Sequence, residues 1–78
     1  MPTLLLWQGY RFRFYSSDRA EPAHVHIQKD GHDAKVWLHS LEVAFNHGYN
    51  ERDLQRLIAK VAENRDAWIG SWNEYFGI

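Results

Sequence analysis

The residues best suited to chemistry in this chain lie in "AEPAHVHIQKDGHDAKVWL", positions 20 to 38. His24 and His26 are one residue apart, so on a strand both imidazoles leave the same face. Glu21 precedes them, and Lys35 and Trp37 follow an Asp30-Gly31 turn signal. Three chemistries suit this set. An imidazole pair can serve as base and acid while Lys or Arg stabilises charge developing on a phosphoryl oxygen. An ordinary histidine pKa of about 6.5 keeps both protonation states populated near neutrality. The same cations can instead hold a nucleic-acid backbone, with Trp37 stacking on a base. Two imidazoles aimed alike can also ligate a metal. A metal needs a third ligand, and Glu21, His32 and His39 are all on offer with no spacing that selects one. No metal and no cofactor is therefore expected. The plain alternative is that both histidines only decorate the solvent side of a strand.

The elements that must position these groups fall into two halves, strand-rich over 1–47 and helical over 50–77. "TLLLW" and "YRFRFYS" are joined by Gln8-Gly9, a hairpin signal. Tyr10, Phe12 and Phe14 alternate with Arg11 and Arg13, which gives a half-buried strand with aromatics inward and arginines outward. After the polar loop "SSDRAEP", Ala23, Val25 and Ile27 face one way, and His24, His26 and Gln28 the other. "AKVWL" turns Ala34, Val36 and Leu38 inward, and Lys35 and Trp37 outward. A two-residue Asp30-Gly31 turn pairs Lys29 with His32, His26 with Lys35 and His24 with Trp37. Residues 40–47 suit either a short edge strand or a helical turn, and the strand is preferred.

Gly48 ends that element, and Asn50 with Asp53 three residues later marks a helix N-terminus. Leu54, Leu57, Ile58 and Val61 follow at helical spacing. Asn64 then reads as the cap of a second helix carrying Trp68, Trp72 and Phe76, with Gly77 closing it. The expected fold is α+β: an antiparallel sheet of four to five strands with two C-terminal helices packed on one face, in a single domain over 1–78. The other face would carry Arg11, Arg13, His24, His26, Lys35 and Trp37.

Composition narrows the classes. With 45% hydrophobic and 15% aromatic residues, 78 residues can build a core without staples, and the lack of cysteine removes disulfides and thiolate metal sites. Nine Lys and Arg against ten Asp and Glu leave a net charge of −1, so any pull on a polyanion must come from charge placement. The run Leu4-Leu5-Leu6-Trp7 is too short for a signal peptide, and no stretch approaches a membrane span. A cytoplasmic protein is expected.

The order "GYRFRFYSSD", "EPAHVHI", "GHDAKVWL" and "NHGYNERDLQRLIAKVAENRDAWIGSWNEYFG" resembles the small bacterial proteins grouped as domain of unknown function 4160, over nearly the whole chain. That family has an aromatic strand ending in serine, then an acidic residue and prolines before "HVHV". A lysine–aromatic strand, a glycine ahead of helices and W-x-E-x-F follow. Phe14, Ser16, Glu21, Pro22, His24, His26, Ala34, Lys35, Trp37, Gly48, Leu54, Trp72, Glu74 and Phe76 match. Ala23 stands where the family often has a second proline, which costs rigidity before His24 but removes no reactive group. Members are often encoded beside a second small protein in arrangements that look like toxin–antitoxin pairs. The resemblance thus implies a cognate small antitoxin-type partner.

The expectation is a toxin-like component of a bacterial type II toxin–antitoxin pair that acts on or binds RNA. His24 and His26 are the acid–base candidates, and Glu21 orients an imidazole or shares its proton. Lys35 and Arg13 bind phosphate, with Arg11 and Trp37 as further RNA contacts. If the protein is an enzyme, a metal-independent ribonuclease-like activity is expected. The alternatives are a non-catalytic partner- or nucleic-acid-binding module (an antitoxin or regulator) and, last, a metal-dependent hydrolase. A homodimer stays open.

Overall fold

The structure, a computed structural model, describes residues 3–78. Five strands come first: β1 (Thr3–Trp7), β2 (Tyr10–Arg13), β3 (His24–Lys29), β4 (His32–Trp37) and β5 (Val43–His47). A 3-10 helix, Ser16–Ala20, lies between β2 and β3, and α1 (Glu51–Phe76) completes the chain. The strands form one antiparallel meander in the order β1-β2-β3-β4-β5.

Two of its turns hold two residues each, Gln8-Gly9 (φ 51° and 82°) and Asp30-Gly31 (φ 51° and 80°). Positive φ at both central positions is the backbone whose twist suits a tight hairpin, and glycine takes the second without strain. The second turn sets the expected register: Lys29 faces His32, His26 faces Lys35 and His24 faces Trp37. On the other side of β3, Arg13 faces His26 and Arg11 faces Gln28. Residues 43–47 are an edge strand, as preferred from their alternation.

The helical half differs from expectation. It is one helix of 26 residues, not two. Asn64 does not cap a second helix, because its side-chain amide donates to the Lys60 carbonyl one turn back (3.0 Å) and satisfies itself inside the helix. The buried positions Leu54, Leu57, Val61, Trp68 and Trp72 keep one helical phase across Asn64, so a break there would split one apolar stripe. The true caps are those expected. Asn50 accepts from the Asp53 N–H (2.8 Å), and Gly77, at φ 69°, gives the left-handed C-terminal cap.

The stripe of α1 lies on the inner face of the sheet. Phe12, Phe14, Val25, Ile27, Ala34, Val36 and Leu38 are fully buried there with Leu57 and Val61 of the helix. Phe12 meets Trp68 at 5.5 Å between ring centres, and Phe14 meets Trp72 at 4.9 Å, in tilted contacts that aromatic pairs favour. Among the described residues no helix is long and apolar enough to cross a membrane.

Candidate functional site

The site begins where β2 hands over to the 3-10 helix. The Asp18 N–H donates to the Tyr15 carbonyl (3.0 Å), and the Tyr15 N–H donates back to Asp18 Oδ2 (2.9 Å). This reciprocal pair folds the loop "SSDRAE" tightly and turns the Asp18 carboxylate over the first residues of β3. Asp18 Oδ2 stands 3.0 Å from His24 Nε2 and 3.3 Å from His26 Nε2. The distances suit ion pairs, yet the direction is wrong for hydrogen bonds, because neither Nε2 has a hydrogen-bond partner.

The two imidazoles share a face but not an environment. His24 is 0% exposed. Its Nδ1 meets the Pro22 carbonyl at 2.9 Å, and Trp72, Trp37 and His26 surround its ring at 5.0, 5.5 and 5.1 Å. Strand alternation sets the direction of a side chain, not whether another element covers it. Here the Asp18 loop and Trp72 do so. His24 therefore cannot meet a substrate directly, as an acid–base role would require. His26, further along the strand, keeps 12% of its side chain exposed and packs edge-on against Tyr15 at 4.8 Å.

The electrostatics follow this geometry. Burial pushes the Asp18 carboxyl up, but the Tyr15 N–H and both imidazoles outweigh it and hold the group below its ordinary value. Burial depresses His26, and Asp18 only partly restores it.

Glu21 was expected at an imidazole. Its carboxylate instead accepts from the Lys35 ammonium across the start of β3, and that hydrogen bond, ahead of burial, lowers its pKa. Lys35 also lies 4.7 Å above the Trp37 ring, which leaves Trp37 half-buried between Lys35 and His24. The Arg13 guanidinium lies 4.9 Å over Tyr15. Arg13, His26 and Lys35 thus form one row across β2, β3 and β4, with Phe45 of β5 continuing it. Arg11 is one pair away, opposite Gln28, and borders a separate open depression with Lys29 and Asp33.

Asp18 is the functional candidate that sequence reasoning missed. It sits in a polar loop with no periodicity to give its facing, among Ser, Arg and Glu residues that look equally eligible. One signal was present: an acid three residues after Tyr15 can accept from that backbone N–H and close a turn. Ser16–Ala20 is too short an excursion to carry the carboxylate far from β3.

No curated protein and no solved structure matches the chain. One family model matches residues 9–73, a span running from the β1–β2 turn through the Asp18, His24 and His26 cluster into the last turn of α1. The chain belongs to the family described as "Domain of unknown function (DUF4160)".

Proposed function

We propose that the protein is a toxin-like component of a bacterial type II toxin–antitoxin pair, and that it acts on RNA through the outer face of its sheet. One observation carries this reading: the row Arg13, His26, Lys35, with the Asp18 carboxylate beside the central imidazole. Strands about 4.8 Å apart put the two cations roughly 10 Å from each other with an imidazole between them. A phosphodiester lying across that row would meet a cation on each side and a proton-transferring group at its centre. Trp37, half-buried beside Lys35, is the aromatic ring next to that row and the candidate to stack on a base. Within this reading His26 is the proton-transferring group, and because both its ring nitrogens are buried in the free protein, substrate binding would have to uncover one of them. His24 and Asp18 are positioning residues, and Glu21 holds Lys35 until a phosphate displaces it.

A second reading, a non-catalytic module that binds RNA or an acidic partner, draws support from the sealed state of His24 and from the Lys35–Glu21 pair. Incubating total RNA with the protein, with and without chelator, beside His26→Gln and Lys35→Gln variants separates the two. Cleavage by the parent that is lost in His26→Gln is expected. Retention of RNA by the parent without cleavage, weakened in Lys35→Gln, would leave only the binding module. Neither cleavage nor retention would sink both.

A further inference from the structure

We propose that Asp18, His24 and His26 form a binding site for a divalent first-row transition-metal ion, with Zn2+ the ion that best suits two imidazole nitrogens and one carboxylate. The spacing fits. The three ligand atoms all lie within 4.8 Å of one another, with Asp18 Oδ2 at 3.0 and 3.3 Å from the two nitrogens. A tetrahedral Zn2+ about 2.0–2.1 Å from each ligand separates those ligands by roughly 3.3–3.4 Å.

Hydrogen bonding supplies the independent argument. The Pro22 carbonyl can only accept, so His24 Nδ1, 2.9 Å from it, carries a proton. In the neutral ring Nε2 is then a lone pair, and it faces a carboxylate oxygen at 3.0 Å. Two acceptors held face to face in a fully buried place repel unless a cation joins them. A proton on Nε2 would answer the charge as an imidazolium–carboxylate pair, but it leaves Nε2 without a well-directed hydrogen bond, whereas a metal ion would use the lone pair directly. A metal ion drawing the three atoms together would give each of them a partner.

The supporting contacts are those of a metal site. A ligating histidine is usually oriented by a hydrogen bond from its other nitrogen to a carbonyl or carboxylate, as Pro22 does for His24. The Tyr15 N–H does the same for Asp18 Oδ2. His26 lacks such a partner at Nδ1, and Tyr15 and Phe45 hold its ring by packing instead. Asp18 and His26 side chains are each 12% exposed against 0% for His24, so the fourth coordination position opens on their side, next to the Arg13–His26–Lys35 row. An ion there would have three protein ligands and one open position, the pattern of ions that meet a substrate.

The inference does not rest on the RNA reading, and its main test is run without RNA; a bound ion would take His26 Nε2 and leave only Nδ1 for proton transfer. Untagged protein, stripped with chelator and dialysed, is titrated with Zn2+ by calorimetry. One ion per chain is expected. Loss of an orienting contact costs 10–100-fold in metal affinity, so losing a ligand in Asp18→Asn or His26→Gln should weaken binding by at least about 100-fold. His39→Gln, an exposed histidine outside the cluster, should bind as the parent does. Co2+ should give the intense visible bands of a four-coordinate ion in the parent and lose them in Asp18→Asn. His26→Gln is the safer variant, because His26 keeps 12% of its side chain exposed where His24 is sealed. A folded His26→Gln that binds Zn2+ as tightly as the parent overturns the proposal, as does a parent that binds none. Zn2+ binding with RNA left untouched would overturn the RNA reading alone. RNA cleavage in chelator by a protein that binds no Zn2+ would overturn this proposal alone.

Discussion

Tyr49 joins the end of the sheet to the start of the helix, and removing its hydroxyl has a calculable effect. The hydroxyl donates to the Ile27 carbonyl at 2.9 Å and also reaches the His32 carbonyl at 3.3 Å, so one group ties the β3–β4 hairpin to the segment before α1. The residue is 7% exposed. Tyr49→Phe removes one buried hydrogen bond and leaves a carbonyl without that donor, which costs about 1–2 kcal/mol at pH 7. The hydroxyl also titrates unusually. Burial first, and then the charges of Tyr10 and Asp33, push its pKa from 10.0 up to about 12. A folded pKa above the unfolded one means a contribution fully present below pH 10 and lost as pH rises through 12. At about 1.4 kcal/mol per unit, the whole loss is on the order of 3 kcal/mol. Urea unfolding followed by tryptophan fluorescence, on parent and variant at steps from pH 7 to 12, cancels the titration of the other tyrosines and lysines in the difference. The parent should be more stable at pH 7, and the two stabilities should meet about pH 11, where one unit of loss offsets one hydrogen bond. A difference that stays constant from pH 9 to 12 would refute the burial of this hydroxyl, whatever its value at pH 7.

Four further substitutions probe the framework. Gly48 has φ +112°, and a Cβ there would lie 2.5 Å from a ring carbon of His32, so Gly48→Ala should lower stability by about 1–3 kcal/mol. Gly31→Ala, with positive φ but open space around it, should cost less, and equal urea midpoints for the two would count against the His32 contact. Asn64→Ala should change stability by no more than about 0.5 kcal/mol, because a mid-helix Asn has poor propensity and caps nothing; a loss near 1 kcal/mol in the same assay would revive a helix start at that position. Glu21→Gln frees Lys35, whose side chain is only 12% exposed, so it should lower the melting temperature slightly while raising retention of RNA at low salt. Weaker retention than the parent would show that the freed lysine is not a phosphate contact.

The strand half was legible because two local rules agreed. Alternation set the facing of Phe12, Val25 and Val36, and the Asp30-Gly31 turn set the pairing of His26 with Lys35; both hold in the structure. The helical half was legible at its ends, where Asn50 and Gly77 do what their types favour. Asn64 was misread because the same side chain serves at an N-cap or bonds back within a helix. Only the continuity of the packed stripe from Val61 to Trp68 distinguishes the two.

The sequence by itself determined which groups lie on which face of the sheet and which stand opposite one another, since both follow from a period of two and a turn of known length. It did not determine access or partnership. His24 points outward by alternation yet is sealed, and Glu21, the carboxylate nearer in sequence, serves Lys35. The acid at the imidazoles is Asp18, brought there by a backbone turn. Those outcomes depend on where a non-periodic loop folds and on where Trp72 of a helix some fifty residues later comes to rest. Only the packed chain sets such distances, because no local pattern encodes contact between segments that are remote in sequence.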